Sequence, residues 1–165
     1  MTEAVVTPDG RLVLEGQTFR AALGRGGVRT DKREGDGATP AGLLPVRRVL
    51  YRADRGGIPR TALPREPIGE ADGWCDDAGH PAYNTMVRQP HPARCEDLWR
   101  RDAVYDIVAV LGWNDAPVER GRGSAIFLHV ARDGYAPTEG CVALAEPDLR
   151  FVLAAGLSGL RILPP

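Results

Sequence analysis

The 165-residue chain carries 21 basic and 22 acidic residues, a formal net charge of −1, with 43% hydrophobic and 26% charged residues. That balance excludes a nucleic-acid surface built on net positive charge, a polybasic membrane-binding face and a disordered chain. The length fits one domain, residues 1–165, with a core of its own.

Glycine and proline supply 20 and 14 residues, more than a helical bundle tolerates, and predict short strands joined by many turns. The run AVVTPDGRLVL (4–14) reads as two strands around the turn Pro8-Asp9-Gly10. RAALGRGGV (20–28) continues as a strand into a glycine-rich loop. REGDGATPAGLLPVRRVLY (33–51) is a long polar loop followed by a strand from Leu43 to Tyr51. Residues 52–103 form an irregular insertion with six prolines, in which only ARCEDLWRRD (93–102) has a brief helical pattern. YDIVAVLGW (105–113) and SAIFLHVA (124–131) are continuous apolar runs and predict buried strands. AEPDLRFVLAAG (145–156) predicts a helix with Pro147 in its first turn and a stop at Gly156, and LRILPP (160–165) a last strand.

No apolar run reaches the length of a membrane span. The start MTEAVVTPDGRLVLEG has neither a basic n-region nor an apolar h-region, so a cytoplasmic location is expected, with a periplasmic or cell-wall location as the alternative if a leader has been removed. Three widely spaced cysteines, Cys75, Cys95 and Cys141, do not read as a disulfide framework. Cys75, His80, His91 and Cys95 have a spacing that matches no common zinc pattern, and Asp72, Asp76 and Asp77 lack the alternation and terminal glutamate of a calcium loop. No metal site is therefore expected.

The segment HVARDGYAPTEGCVAL (129–144) sets one of three histidines twelve positions before one of three cysteines. Taken alone, His129 fits a core histidine satisfied by a backbone carbonyl, and Cys141 fits a small buried apolar residue. Taken together they fit a nucleophile and its base. A free thiol is only a few per cent thiolate at neutral pH, and a neighbouring imidazole can raise that fraction. The turn between them ends in Gly140, which allows a sharp bend and would leave the amides of Gly140 and Cys141 facing an oxyanion.

Those residues resemble a known signature. His129 followed by Thr138-Glu139-Gly140-Cys141, together with the upstream GDGATPAGLLPV (35–46) and its Thr-Pro-x-Gly step, is similar to the L,D-transpeptidase catalytic domain family, with the resemblance spanning roughly residues 3–163. It implies a mainly β fold, an L,D-transpeptidase-like β-sandwich with one helix in the C-terminal half and a long irregular insertion. It also implies a cofactor-free acyl transfer at the L,D bond of peptidoglycan stem peptides or muropeptides. Cys141 would be the nucleophile, His129 the base, Gly140 the residue beside the oxyanion, and Thr138 a substrate contact. The thioester would pass to water, as in an L,D-carboxypeptidase of muropeptide recycling, or to an amine, as in a transpeptidase. Carbapenems would be covalent inhibitors, and the protein would be a monomer.

Two departures stand out: Glu139 replaces a histidine that the family commonly has, and Ala143 replaces an arginine. Glu139 is left either to orient His129 and meet substrate or to be solvated. Arg132, Arg122 and Arg25 are alternative partners for a substrate carboxylate. Trp74, Asp76, Asp77 and Asn84, in DGWCDDAGHPAYN (72–84), are expected to contact substrate from the insertion, and a non-catalytic muropeptide- or protein-binding domain is the rival from another class.

Overall fold

The computed structural model describes residues Met1–Pro165. The amino-terminal hairpin forms as its turn chemistry requires. Strands β1 (Thr2–Thr7) and β2 (Arg11–Leu14) pair antiparallel with Val6 opposite Leu12. Gly10 closes the turn at φ 89°, where a Cβ would lie 2.8 Å from the Ala21 carbonyl oxygen. A second hairpin leads to β3 (Gln17–Ala22), and short strands β4 (Val28–Arg29) and β5 (Thr39–Pro40) pair beyond it. The remaining elements are β6 (Gly42–Tyr51), β7 (Arg65–Pro67), β8 (Asp72–Cys75), β9 (Met86–Arg88), β10 (Cys95–Asp97), β11 (Ile107–Leu111), β12 (Phe127–Val130), β13 (Val142–Leu144), α1 (Glu146–Ala154) and β14 (Leu157–Ile162).

Nine strands form one sheet in the order β11-β12-β13-β3-β2-β1-β14-β6-β7, and β11 also pairs with β6, which closes it on itself. Two strands turn the corners. β3 pairs with β2 up to Arg20 and with β13 at Ala21 and Ala22. β6 pairs with β14 from Gly42 to Pro45 and with β11 from Val46 onwards. The result is two packed layers sharing their corner strands, the sandwich that the sequence implied. Val6, Leu12, Leu44 and Leu160 of one layer meet Val49, Ala109, Leu128 and Val142 of the other in a common core. The helix adds Leu149, Val152 and Leu153, one face at helical spacing, to the same core.

The layer containing β11 and β12 is buried on both sides, which explains its continuous apolar sequence. Ile107, Ala109, Leu111, Leu128 and Val130 point into the sandwich. Val108, Val110 and Phe127 point outward into a second core with Trp74, Leu98 and Tyr105 of the insertion. The insertion is thus a cover over the outer face, and it is more regular than its prolines suggest: β10, β8 and β9 make a three-stranded sheet. The helical pattern expected over 93–102 is not realised, because Cys95–Asp97 is strand β10, paired with β8. A ten-residue segment gains little from helix formation alone, whereas strand pairing lets it bury Leu98 completely. No helix is long and apolar enough to cross a membrane.

Candidate active site

His129 sits on β12, between antiparallel β11 (opposite Val108) and parallel β13 (opposite Ala143). Strand alternation puts it on the outer face with Phe127, under the insertion. Its Nδ1 lies 2.9 Å from the Val130 carbonyl oxygen. A carbonyl can only accept, so Nδ1 carries the proton and Nε2 is left with its lone pair, the tautomer of a base. The Tyr105 ring meets the imidazole edge-on at 5.4 Å. Burial pushes the His129 pKa down to about 4, so the ring is neutral at pH 7.

Cys141 ends a turn whose backbone is held from several sides. Gly140 has φ 138°, and a Cβ there would lie 2.8 Å from the Ala38 carbonyl oxygen. The Thr138 hydroxyl donates to the Cys141 carbonyl at 2.6 Å and accepts the Gly140 amide at 3.1 Å. The upstream Thr-Pro-x-Gly step supports the same turn. Buried Thr39 accepts the Gly24 amide at 2.9 Å, and Gly24 packs so closely on Gly140 that a Cβ on it would be 3.0 Å from the Gly140 Cα.

Two expectations about this turn are corrected. The Gly140 amide does not face a cavity, because Thr138 takes it; the Cys141 amide, with no acceptor in the protein, is the one available to an oxyanion. Nor is the resting thiol activated by His129. It donates to the Ala125 carbonyl at 3.2 Å and accepts the Phe127 amide at 3.3 Å. Burial, with the Glu96 carboxylate second, pushes its pKa up to about 12. Two buried neutral groups are cheaper here than a buried ion pair.

Cys141 and His129 nevertheless line one cavity of about 270 Å³, together with Thr138, Glu139 and Arg132 from the same turn segment. The opposite wall comes from the insertion, the polar loop and the start of the next strand: Asp76, which the sequence pointed to, and Glu34, Glu96, Arg100 and Tyr105, which it did not. The Tyr105 hydroxyl donates to Glu96, whose own pKa burial raises. Arg100 lies over the Tyr105 ring at 5.3 Å and pairs with Asp102 at 2.7 Å, which holds the Asp102 carboxyl at a pKa of about 2. Tyr105 had a signal in the sequence, three residues before the strand partner of His129; Glu96 and Arg100 lay in the segment with the helical pattern.

The arginine alternatives separate cleanly. Arg25 pairs with Glu139 at 2.9 Å on the surface, so Glu139 holds Arg25 and does not orient His129. Arg122 pairs with Glu119 and lies over the Trp113 ring. Arg132 lines the cavity and has no ion-pair partner.

Trp74, Asp77 and Asn84 do not line this cavity. The Asn84 side-chain oxygen accepts the Trp74 indole N–H at 2.9 Å and the Ala125 amide at 3.0 Å. It thereby fixes Ala125, a left-handed residue at φ 53° whose carbonyl receives the Cys141 proton. Asp77 accepts the Gly79 amide within its own loop. These hydrogen bonds give the three residues a supporting part in the local fold. No group of three or more His, Cys, Asp or Glu side chains is arranged to hold a metal ion.

The closed two-layer β fold thus sets a cysteine and a histidine on one polar cavity. A family model, the L,D-transpeptidase catalytic domain (YkuD), matches residues 2–159, and the chain belongs to that family. Among solved structures it is similar to Mycobacterium tuberculosis L,D-transpeptidase 1, at 12% identity and a TM-score of 0.42. That similarity covers 98% of this chain and 61% of the other, so the present chain spans about three-fifths of that protein's length. Comparison with curated proteins gives no match.

Proposed function

We propose that the domain catalyses acyl transfer at the L,D bond of peptidoglycan stem peptides through a Cys141 thioester, with water as the usual acceptor. The observation that carries this reading is the shared cavity: Cys141 and His129 both line it, and the Val130 carbonyl keeps the His129 Nε2 unprotonated. When a stem peptide fills the cavity, rotation about the Cβ–Sγ bond takes the thiol proton from the Ala125 carbonyl to the His129 side. Nε2 removes the proton as sulfur attacks the carbonyl carbon. The oxyanion forms against the Cys141 amide. The C–N bond then breaks, and the imidazolium protonates the departing amine of the terminal D-residue, whose carboxylate Arg132 holds. His129 next takes a proton from water, the hydroxide attacks the thioester, and the thiol is restored.

Hydrolysis is favoured because most of the cavity lining is polar or charged, which admits water to the thioester. A second reading, transfer to an amine, has its own support: Glu34 and Asp76 in the lining would attract an ammonium group. Mass spectrometry of the protein incubated with a disaccharide-tetrapeptide, with and without excess glycine or D-methionine, separates the readings. Tripeptide as the main product supports hydrolysis; an exchanged tetrapeptide supports transfer. Binding without turnover, unchanged by Cys141→Ala, would leave a non-catalytic binding domain.

A further inference from the structure

The insertion carries a pair of thiols that the mechanism above does not use. β8 and β10 run antiparallel with Cys75 opposite Cys95. On either side of that pair the Asp76 amide donates to the Arg94 carbonyl at 3.2 Å and the Leu98 amide to the Asp72 carbonyl at 3.0 Å. These mark 76/94 and 72/98 as hydrogen-bonded pairs, and by the alternation of an antiparallel ladder Cys75 and Cys95 form a non-hydrogen-bonded pair. Such pairs bring Cα atoms to about 4.5 Å and side chains closest together, within the range that a disulfide spans.

Both thiols are free, Cys75 fully buried and Cys95 half-buried, so Cys95 is the one a reagent can reach. The Cys95 thiol donates to the Ala93 carbonyl at 3.4 Å, and its sulfur lies 3.6 Å from the His91 Nδ1. Burial and the neighbouring Cys75 thiol push the Cys95 pKa up, in keeping with two adjacent sulfurs. A metal is the obvious competitor, since the His80 and His91 rings lie 5.0 Å apart. Each histidine, however, uses Nδ1 to accept a backbone amide, from Ala82 at 3.0 Å and Ala93 at 3.2 Å. That leaves the ring proton on Nε2 and no free lone pair for a cation.

We propose that Cys75 and Cys95 form a reversible disulfide by exchange with a low-molecular-weight disulfide, clamping the β8–β10 wall while Cys141 stays a thiol. In the first step half-exposed Cys95 gives its proton to solvent and its sulfur attacks the external disulfide. One external S–S bond breaks, and one thiolate leaves and takes up a proton. In the second step Cys75 loses its proton and attacks the Cys95 sulfur, forming the Cys75–Cys95 bond and releasing the second external thiolate, which is protonated in turn. The two cysteines are oxidised and the external disulfide is reduced to two thiols. Asp76 and Glu96, adjacent to the two cysteines in sequence, line the catalytic cavity, so the clamp would fix that wall. The proposal is independent of the catalytic reading, because Cys141 takes no part.

The test is to incubate the wild-type protein with oxidised glutathione, alkylate with iodoacetamide in denaturant, and measure the intact mass and the peptide map. The expected product carries one alkylated cysteine, Cys141, and a peptide joining Cys75 to Cys95 that dithiothreitol releases. The variant C75S should instead keep a glutathione adduct on Cys95, since no second thiol resolves it. Three alkylated cysteines in the wild type, a lasting glutathione adduct there, or a link involving Cys141 would each overturn the proposal. So would protection of Cys75 and Cys95 by added zinc in place of oxidation.

Discussion

The resting state of the Cys141 thiol can be tested directly through its alkylation rate as pH is varied. Iodoacetamide reacts with thiolate, so the rate follows the ionised fraction. With the pKa at about 12 against an ordinary 9.0, each of the three units lowers that fraction tenfold, and Cys141 should react about a thousandfold more slowly than an unstructured cysteine at pH 8. His129, with a pKa pushed down to about 4, cannot supply a counter-charge at that pH. The logarithm of the rate, followed by peptide mapping between pH 6 and pH 10, should therefore rise linearly with pH and show no plateau. A plateau across this range would mean a thiolate–imidazolium pair and refute the neutral resting state. His129→Ala should leave the slope unchanged, because the imidazole is not what sets the thiol's ionisation before substrate arrives.

Other consequences are open to measurement. A carbapenem should acylate Cys141 in the wild type, and His129→Ala should slow the adduct by about a hundredfold or more at neutral pH, as seen by intact mass; equal rates would remove His129 from the chemistry. Arg132→Ala should raise KM for a tetrapeptide about tenfold or more with little change in kcat, whereas Arg25→Ala, which breaks only a surface pair with Glu139, should change neither. The unfolded chain binds a proton at His129 near pH 6.5, whereas the folded one does so only near pH 4. Stability should therefore fall as pH drops through that window, by about 2–3 kcal/mol in denaturant titrations, and the loss should be smaller in His129→Phe. Cys141→Ala should abolish turnover and change stability by only about 1–2 kcal/mol, since it removes one small group from a cavity wall.

Much of the fold is legible in the sequence where local chemistry and tertiary packing agree. Pro8-Asp9-Gly10 makes its hairpin, Pro147 and Gly156 bracket their helix, and SAIFLHVA divides as its period of two demands: Ala125 and Phe127 face outward with His129, and Ile126, Leu128 and Val130 face inward. The insertion is where local signals fail. Strands of three or four residues gain their stability from partners distant in sequence, so β8, β9 and β10 leave no periodicity to find. The site divides in the same way. Cys141, His129, Thr138, Glu139 and Arg132 lie within one contiguous motif and reach the same cavity. The opposite wall depends on how the insertion folds over the sheet, and of the insertion residues the sequence pointed to, that placement brings Asp76 to the cavity, together with Glu96 and Arg100.

The chemistry of the site follows from that division. The sandwich supplies a rigid strand for the base and a turn for the nucleophile, but it leaves both on an outer face that would be wet without the insertion. Trp74 of the insertion and Tyr105 pack over Phe127 of β12 and limit water there, and the same desolvation makes either charge costly, so both groups rest neutral. In the proposed reaction, attack by the thiol would create an imidazolium and an oxyanion together, one elementary charge of each sign. The cavity has carboxylates for the first and the Cys141 amide for the second. Glu96 acts in both states: its negative charge helps hold the thiol proton at rest, and it favours the positive imidazole once that proton has moved. A nucleophile kept protonated until a carbonyl is present is protected from adventitious oxidation and alkylation, which react with thiolate. In the proposed reaction the Ala125 carbonyl and the Phe127 amide would hold the Cys141 thiol until substrate arrives, with the insertion supplying Asp76, Glu96 and Arg100 of the facing wall.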